Sequence, residues 1–366
     1  MGSGIYRAQT IGSMLRPPHL REARRALRNG SISNAAFKKI EDRAVDDALA
    51  MQERAGIELV TDGEQRRASF LGSLVETTEG LTRDLRITKP WHENNEHVTE
   101  LSLGLAVTGK LRRLRSMVCE EYAYMRGRWS RSIKVTLPSP MMLAMFWAPG
   151  FAQGCYGDVF DLFADGAQVI RSEIADLARM GCENIQIDAP ELAILIDPVA
   201  RMTVFERNGI DPARILGEGV ELLNSLAYLP GINFGLHLCR GNNDGRWLSR
   251  GGYEPIAKEV FPRANRFTTF LLEYDDARSG SFGPLADIPR DKVVVLGLVS
   301  SKRAELESEE LLIGRIEQAA RYFPREQLAL SPQCGFASGI KGNPLDETSE
   351  ERKLRIVAEV ARRVWG

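Results

Sequence analysis

Residues 233–239 read Asn-Phe-Gly-Leu-His-Leu-Cys, a short apolar run that ends on a histidine and a cysteine two positions apart. In an extended chain, side chains two apart face the same way, so His237 and Cys239 point together. Similar short runs rich in apolar and β-branched residues recur at 6–11, 58–61, 133–137, 184–187, 267–273, 292–299 and 327–330. Between most of them lie amphipathic stretches of helical period, at 33–55, 159–180, 215–229, 253–261, 307–322 and 350–364. Eight strands alternating with helices predict parallel βαβ units of the α/β class, closed into a (β/α)8 TIM barrel. The stretch 233–238 is the fifth strand.

The rhythm breaks once. A long insertion, 65–132, separates the second and third strands; it holds a polar stretch at 88–98 with Trp91, His92 and His97, and a strand-like run at 101–109. Long loops in compact domains usually carry function, so this segment is expected to be an arm or lid, or else a contact within a homo-oligomer. No repeat, linker or low-complexity tract divides the chain, and 1–366 is expected to be one catalytic barrel.

In a parallel barrel the C-terminal strand ends meet at one rim, where active sites form. The polar residues fall there. His237 and Cys239 end the fifth strand, Glu273 ends the sixth, and Cys334 follows the eighth. One imidazole and two thiolates are a normal zinc set, which a carboxylate can complete. A lone His-x-Cys is more often a core histidine beside an inert cysteine. Here His237 is one of only four histidines, and all the candidate ligands fall at strand ends. Three further strands end on polar turns: Thr10-Ile11-Gly12-Ser13, Thr61-Asp62-Gly63-Glu64 and Ile187-Asp188-Ala189-Pro190. Each is by itself a turn signal, and their convergence predicts a polar pocket beside the metal. The run 141–147 is apolar and reads as core or pocket wall; within it Trp147 is a candidate to stack on a donor.

Composition excludes several classes. With 48 basic and 49 acidic residues there is no field to hold nucleic acid or an anionic membrane. No apolar run reaches the ~18 residues of a membrane span. Five cysteines, few and odd in number, suit a reducing cytoplasm, where they act as core residues, nucleophiles or ligands.

Three segments are specific in combination: His237-Leu238-Cys239-Arg240-Gly241-Asn242, Leu272-Glu273-Tyr274-Asp275-Asp276 and Leu330-Ser331-Pro332-Gln333-Cys334-Gly335-Phe336-Ala337-Ser338. In these the sequence resembles the catalytic barrel of cobalamin-independent methionine synthase, and more closely its short, single-barrel relatives. The resemblance covers nearly the whole chain. It implies that His237, Cys239, Glu273 and Cys334 ligate zinc. It also implies that Ile11-Gly12-Ser13, Glu64 and Asp188 hold an amino-acid thiol such as homocysteine, with the two carboxylates on its ammonium and the Gly12-Ser13 backbone on its carboxylate. The expected activity is S-methyl transfer to a zinc-bound thiolate. A free thiol, with its pKa near ~8.5, is mostly protonated at neutral pH, and zinc removes that proton.

The departures concern the donor. The long enzymes carry an extra N-terminal barrel that this chain lacks. Where they place a folate-binding Glu, six residues past the pocket Asp, this sequence has Ile194, with Glu191 offset as a candidate donor contact. Where they place an acid His, it reads Leu298-Val299-Ser300-Ser301-Lys302. A tertiary amine leaves poorly unless protonated, so polyglutamylated methyl-folate is not expected to serve efficiently, and the donor is either methyl-folate handled differently or another small methyl compound. A second reading is a thiol alkyltransferase that opens an epoxide, as in the epoxyalkane:coenzyme M transferases, with Tyr274 as candidate acid. A metal-free decarboxylase of the uroporphyrinogen type shares the barrel but not the His, Cys and Glu set. A non-catalytic binding protein would hold zinc and thiol without turnover.

Overall fold

Valines and leucines fill the strand Val293–Val299, and from its second residue on every side chain is buried. Burial on both faces is the mark of a parallel strand covered by helices. In the computed structural model, which describes residues 4–82, 87–92, 98–103, 105–152 and 154–366, it belongs to a parallel sheet of six. In chain order the strands are β1 (Leu59–Val60), β2 (Thr78–Thr82), β3 (Ile87–His92), β4 (Val98–Leu103), β5 (Ala106–Arg113), β6 (Ser132–Ile133), β7 (Val135–Pro138), β8 (Asn184–Asp188), β9 (Asn233–Leu238), β10 (Thr269–Glu273), β11 (Val293–Val299) and β12 (Leu328–Pro332). The sheet runs β7-β8-β9-β10-β11-β12.

Two short stretches carry the parallel pairing round the rest of the ring. The Gln9 N–H donates to the Leu330 carbonyl at 3.1 Å, and the Leu330 N–H to Arg7 at 2.9 Å, tying the first segment to β12. The Glu58 N–H donates to Ala8, β1 pairs in parallel with β6, and the Lys134 N–H donates to Val60. The expected first strand, 6–11, therefore exists only as single bridges at Ala8 and Gln9. The expected third strand is interrupted at Lys134: its first half pairs with β1 and its second with β8. The buried Lys134 ammonium donates to the Thr10 carbonyl at 2.6 Å, and burial lowers its pKa to about 7.

Helices pack outside. Asn34–Ala55 starts on the Ser33 side chain, which accepts the Ala36 N–H, and stops at Gly56 with φ 84°. Val159–Arg179, Glu309–Ala319 and Glu347–Trp365 start on Asp158, Ser308 and Asp346 in the same way, which satisfies N–H groups that a helix cannot bond internally. The helix expected over 215–229 is shorter. It starts earlier, at Pro212–Arg214 capped by Asp211, passes into a π-turn, Ile215–Gly219, ends at Asn224, and carries Gly219 where a Cβ would meet the Met141 sulfur at 2.4 Å.

The inserted segment holds a helix, Gly72–Thr77, two antiparallel strand pairs, β2 with β5 and β3 with β4, and a second helix, Cys119–Arg126. The expected strand at 101–109 is the end of β4 and the start of β5. Trp91 and His92 lie on β3, while His97 falls outside the described residues. Among the described residues no helix is long and apolar enough to cross a membrane.

Candidate metal centre

β9, β12 and the turns after them bring three soft or borderline ligands together. The ligand atoms of His237, Cys239 and Cys334 all lie within 4.8 Å of one another, and all three residues are buried. The two sulfurs are 3.2 Å apart and both thiols are free. His237 Nδ1 sits 3.2 Å from the Leu271 carbonyl oxygen, and Nε2 is buried without a partner. With the proton on Nδ1 held by that carbonyl, Nε2 presents a lone pair, as metal-binding histidines do.

Charge is distributed unevenly across this group. The Cys239 thiol is shifted towards thiolate, first by the hydrogen bond from Cys334 and, against burial, by His237. The Gly241 N–H adds a donor to the same sulfur at 3.2 Å. Cys334, which gives that hydrogen bond and is itself buried, is pushed well above the ordinary thiol value. Burial opposes a charged His237, but Cys239 and the nearby Asp188 outweigh it and raise its pKa.

Glu273 does not join the three. It ends β10, fully buried, with Oε2 accepting the Arg240 N–H at 3.0 Å and Oε1 3.2 Å from Arg278 Nη2. Burial would raise its pKa, and the charges of Lys302, Arg278 and Arg240 instead hold it down. These partners keep an ionised carboxylate close enough to act on both Cys239 and Cys334. Arg240, undecided from sequence, is a buried clamp: its guanidinium donates to the carbonyls of Gly251 and Glu273 and to Tyr253 Oη.

The triad opens on a pocket at the barrel rim. Ile11, Gly12, Ser13, Glu64 and Asp188 all line it, together with His237, Cys239 and Cys334. Gly12 lets Glu64 come close, since a Cβ there would stand 2.8 Å from Glu64 Oε1. Glu64 itself is held at φ 54°, its N–H donating to Asp62 Oδ1 at 2.8 Å. Its Oε1 accepts from Thr136 Oγ1 at 2.8 Å, and its Oε2 is buried without a partner. Asp188 Oδ1 accepts from Gln186 at 2.7 Å; burial pushes its pKa up to about 6, with Glu64 adding to the rise and His237 opposing it. The pocket thus carries two carboxylates on one side of the sulfurs. The other wall is apolar, built from Phe70, Leu71, Met142, Met145, Phe146 and Ile194.

Three candidates lie elsewhere. Trp147 is buried outside the pocket, its indole N–H donating to the Asn208 carbonyl, because the 3-10 turn Pro140–Phe146 presents Met142, Met145 and Phe146 instead. Glu191 is buried behind the pocket, bonded to Ser139 Oγ at 2.5 Å, and burial lifts it to about 8, so it is a neutral acid at pH 7. The Tyr274 hydroxyl is buried, packed against the rings of Tyr253 and Phe282, and burial raises its pKa well above the ordinary value. Sequence reasoning missed Phe70, Leu71, Leu248, Asn242 and Ser338 as lining residues. The first two follow Glu64 closely in the sequence; nothing in the sequence marks Leu248.

Residues 6–362 match the family described as the catalytic domain of cobalamin-independent synthase. The uncharacterized protein YxjH of Bacillus subtilis is 33% identical over 98% of this chain and 95% of its own length. The methionine synthase of Saccharolobus solfataricus is 24% identical over 89% of this chain and 86% of its own. Among solved structures, a Listeria monocytogenes protein assigned as a vitamin-B12-independent methionine synthase superposes with a TM-score of 0.74 at 26% identity, with both chains covered in full.

Proposed function

This chain belongs to the family of cobalamin-independent synthase catalytic domains, and from that premise we propose that it is a zinc-dependent S-methyltransferase acting on an amino-acid thiol such as homocysteine. The observation that carries the reading is a buried, partnerless imidazole nitrogen beside two free sulfurs, at the edge of a pocket that also holds Glu64 and Asp188. This donor set fits zinc, for which one nitrogen and two thiolates are ordinary ligands. A zinc ion bound by His237, Cys239 and Cys334, with Glu273 as the adjacent carboxylate, would hold the substrate thiol as its thiolate at neutral pH.

The chain's own residues do the rest. Leu271 fixes the His237 tautomer, and the Gly241 N–H stabilises charge on Cys239. Glu64 and Asp188 receive the ammonium of the thiol substrate, and the backbone at Ile11-Gly12-Ser13 its carboxylate. That grip fixes the sulfur's position and converts an encounter of two molecules into an oriented one. Phe70, Met145, Phe146 and Ile194 exclude water from the side on which a donor approaches.

The donor in this reading is not a folate. Ile194 lines the pocket, and Val299 and Ser300 are buried outside it. A donor whose leaving group needs no proton, such as a sulfonium or a cobalt-bound methyl, suits that wall. The inserted segment 65–132, which supplies Phe70 and Leu71 to the wall, acts as part of the site within a single catalytic unit. The five free cysteines support a reducing, cytoplasmic compartment for this activity.

The experiment is mass spectrometry of products after incubating the purified protein with homocysteine and a panel of methyl donors, beside metal analysis of the same sample. Methionine from a non-folate donor, with about one zinc per chain, is expected. A metal-free protein that forms no thioether overturns the proposal.

A further inference from the structure

We propose that Glu121, carried by the inserted segment, is a specificity-determining positioning residue: it takes most of the hydrogen bonds of Arg67 and so leaves Glu64 Oε2 open to the ammonium of the substrate. The inference rests on the reading of the acceptor as an amino-acid thiol.

Arg67 lies three residues after Glu64 and is buried. A buried guanidinium so close to a carboxylate would ordinarily pair with it and cancel its charge. Here it is drawn the other way. Arg67 Nε donates to both oxygens of Glu121 at 3.1 Å, and Nη2 donates to Oε2 at 2.7 Å. Nη1 is taken by Thr136 Oγ1 at 3.0 Å and Nη2 also by the Thr136 carbonyl at 3.1 Å. Towards Glu64 the nearest approach is 3.5 Å. The Thr136 hydroxyl stands between the two: it accepts a hydrogen bond from Arg67 and donates one to Glu64 Oε1. Glu64 Oε2 is left without a partner.

The charges close in the same sense. Glu121 neutralises Arg67, and Arg16, a second buried guanidinium near Glu64, spends its hydrogen bonds on the carbonyls of Met14, Ala337, Glu64 and Arg67. Asp62 beside Glu64 accepts the Glu64 N–H. Glu64 therefore keeps Oε2 without a hydrogen bond, its Oε1 held by Thr136 and 3.5 Å from Arg67, and Asp188 lines the same pocket. Glu121 sits on the helix Cys119–Arg126, whose first turn is docked separately: Glu173 accepts the Val118 and Cys119 N–H groups at 2.7 and 3.1 Å. The far end of the inserted segment thus bears on the acceptor site through the Glu121 side chain.

The experiment measures dissociation constants by calorimetry for homocysteine and for the same thiol without its amino group, 4-mercaptobutanoate, on the protein as purified. The native protein is expected to prefer homocysteine; equal affinities would show instead that the acceptor reading fails. In Glu121→Gln the guanidinium turns to Glu64, and the preference should fall roughly tenfold or more, as for a lost charge-assisted hydrogen bond. Affinity for 4-mercaptobutanoate and zinc content should stay unchanged. Glu121→Asp keeps the charge on a shorter stem and should keep most of the preference. If the native protein discriminates and Glu121→Gln discriminates equally, the proposal is overturned. If Glu121→Gln does not fold, Glu121→Asp decides alone, and loss of the preference there overturns it.

Discussion

Gly335→Ala perturbs the point at which three barrel loops meet. Gly335 follows the candidate ligand Cys334 directly. Its carbonyl accepts from Asn242 Nδ2 at 2.6 Å, in the turn after β9, and from Ser301 Oγ at 2.8 Å, in the turn after β11. The next N–H, of Phe336, donates to the Ser13 carbonyl at 2.7 Å. A Cβ on residue 335 would stand 2.1 Å from Ser13 Oγ and 3.0 Å from both Ser13 N and Ser13 O. The hydroxyl can rotate away, but the two backbone atoms cannot, so the loops must part by a few tenths of an ångström. Overpacking of this kind costs roughly 1–3 kcal/mol. Because domains of 150–250 residues lose about 2–4 °C per kcal/mol, and longer chains less, the melting temperature should fall by only a few degrees. The larger effect should be local, since the shift separates Cys334 from Cys239, now 3.2 Å apart, and moves Ser13 in the pocket. Metal analysis and thermal melts on the same preparation measure both. Full zinc with an unchanged melting temperature would refute the reasoning, and a global collapse would show that the loop junction carries the fold rather than the site.

Cys239→Ala and Cys334→Ala should each lose most of the zinc while keeping the circular dichroism of the native protein, because a barrel core does not depend on one rim ligand; full occupancy in both variants would remove the metal centre. Asp188→Asn should weaken homocysteine binding by about 1–3 kcal/mol at constant zinc content, measured by calorimetry, as expected for one charge-assisted hydrogen bond. Glu350 is buried against the Leu15 N–H at 3.0 Å, and burial lifts its pKa from 4.5 to about 8. Between those values the folded state keeps a proton that the unfolded state has lost, so this group's contribution to stability falls as pH rises through that window. Melts of Glu350→Gln should therefore improve relative to the native protein from pH 5 to pH 8, and parallel curves would show that the carboxyl is not protonated in the fold.

Where apolar residues fill both faces of a strand, the sequence reading and the structure coincide closely. β9, β11 and β12 begin and end within two residues of their expected bounds, since nothing but pairing satisfies a buried apolar backbone. The disagreements fall where a polar side chain lies inside the barrel. Residues 6–11 make single bridges, and Lys134 splits the third strand, because its ammonium must find the Thr10 carbonyl there. The β3–β4 pair was not legible from period alone: Thr88, Lys89 and Glu100 read as solvent-loving, and what pairs them is the opposing strand.

The site divides along the same physical line. Strand ends are fixed by strands, so His237, Cys239, Cys334, Glu64 and Asp188 could be placed on one rim from spacing alone, and they share one pocket. Side-chain direction was beyond reach where a neighbour competes for it. Glu273 occupies a strand end like the others, yet the Arg240 N–H and Arg278 hold its carboxylate aside. Tyr274, one residue on, faces the opposite side of the strand and buries its ring against Tyr253 and Phe282. The longest-range dependence was the least visible. Arg67 and Glu121 are 54 residues apart, joined across an insertion whose composition marks it only as polar. An Arg three residues after a Glu predicts a local ion pair. That pair forms only at 3.5 Å, because Glu121 supplies a competing carboxylate at 2.7 Å, and only folding the insertion back onto the barrel reveals which of the two acids holds Arg67 more closely.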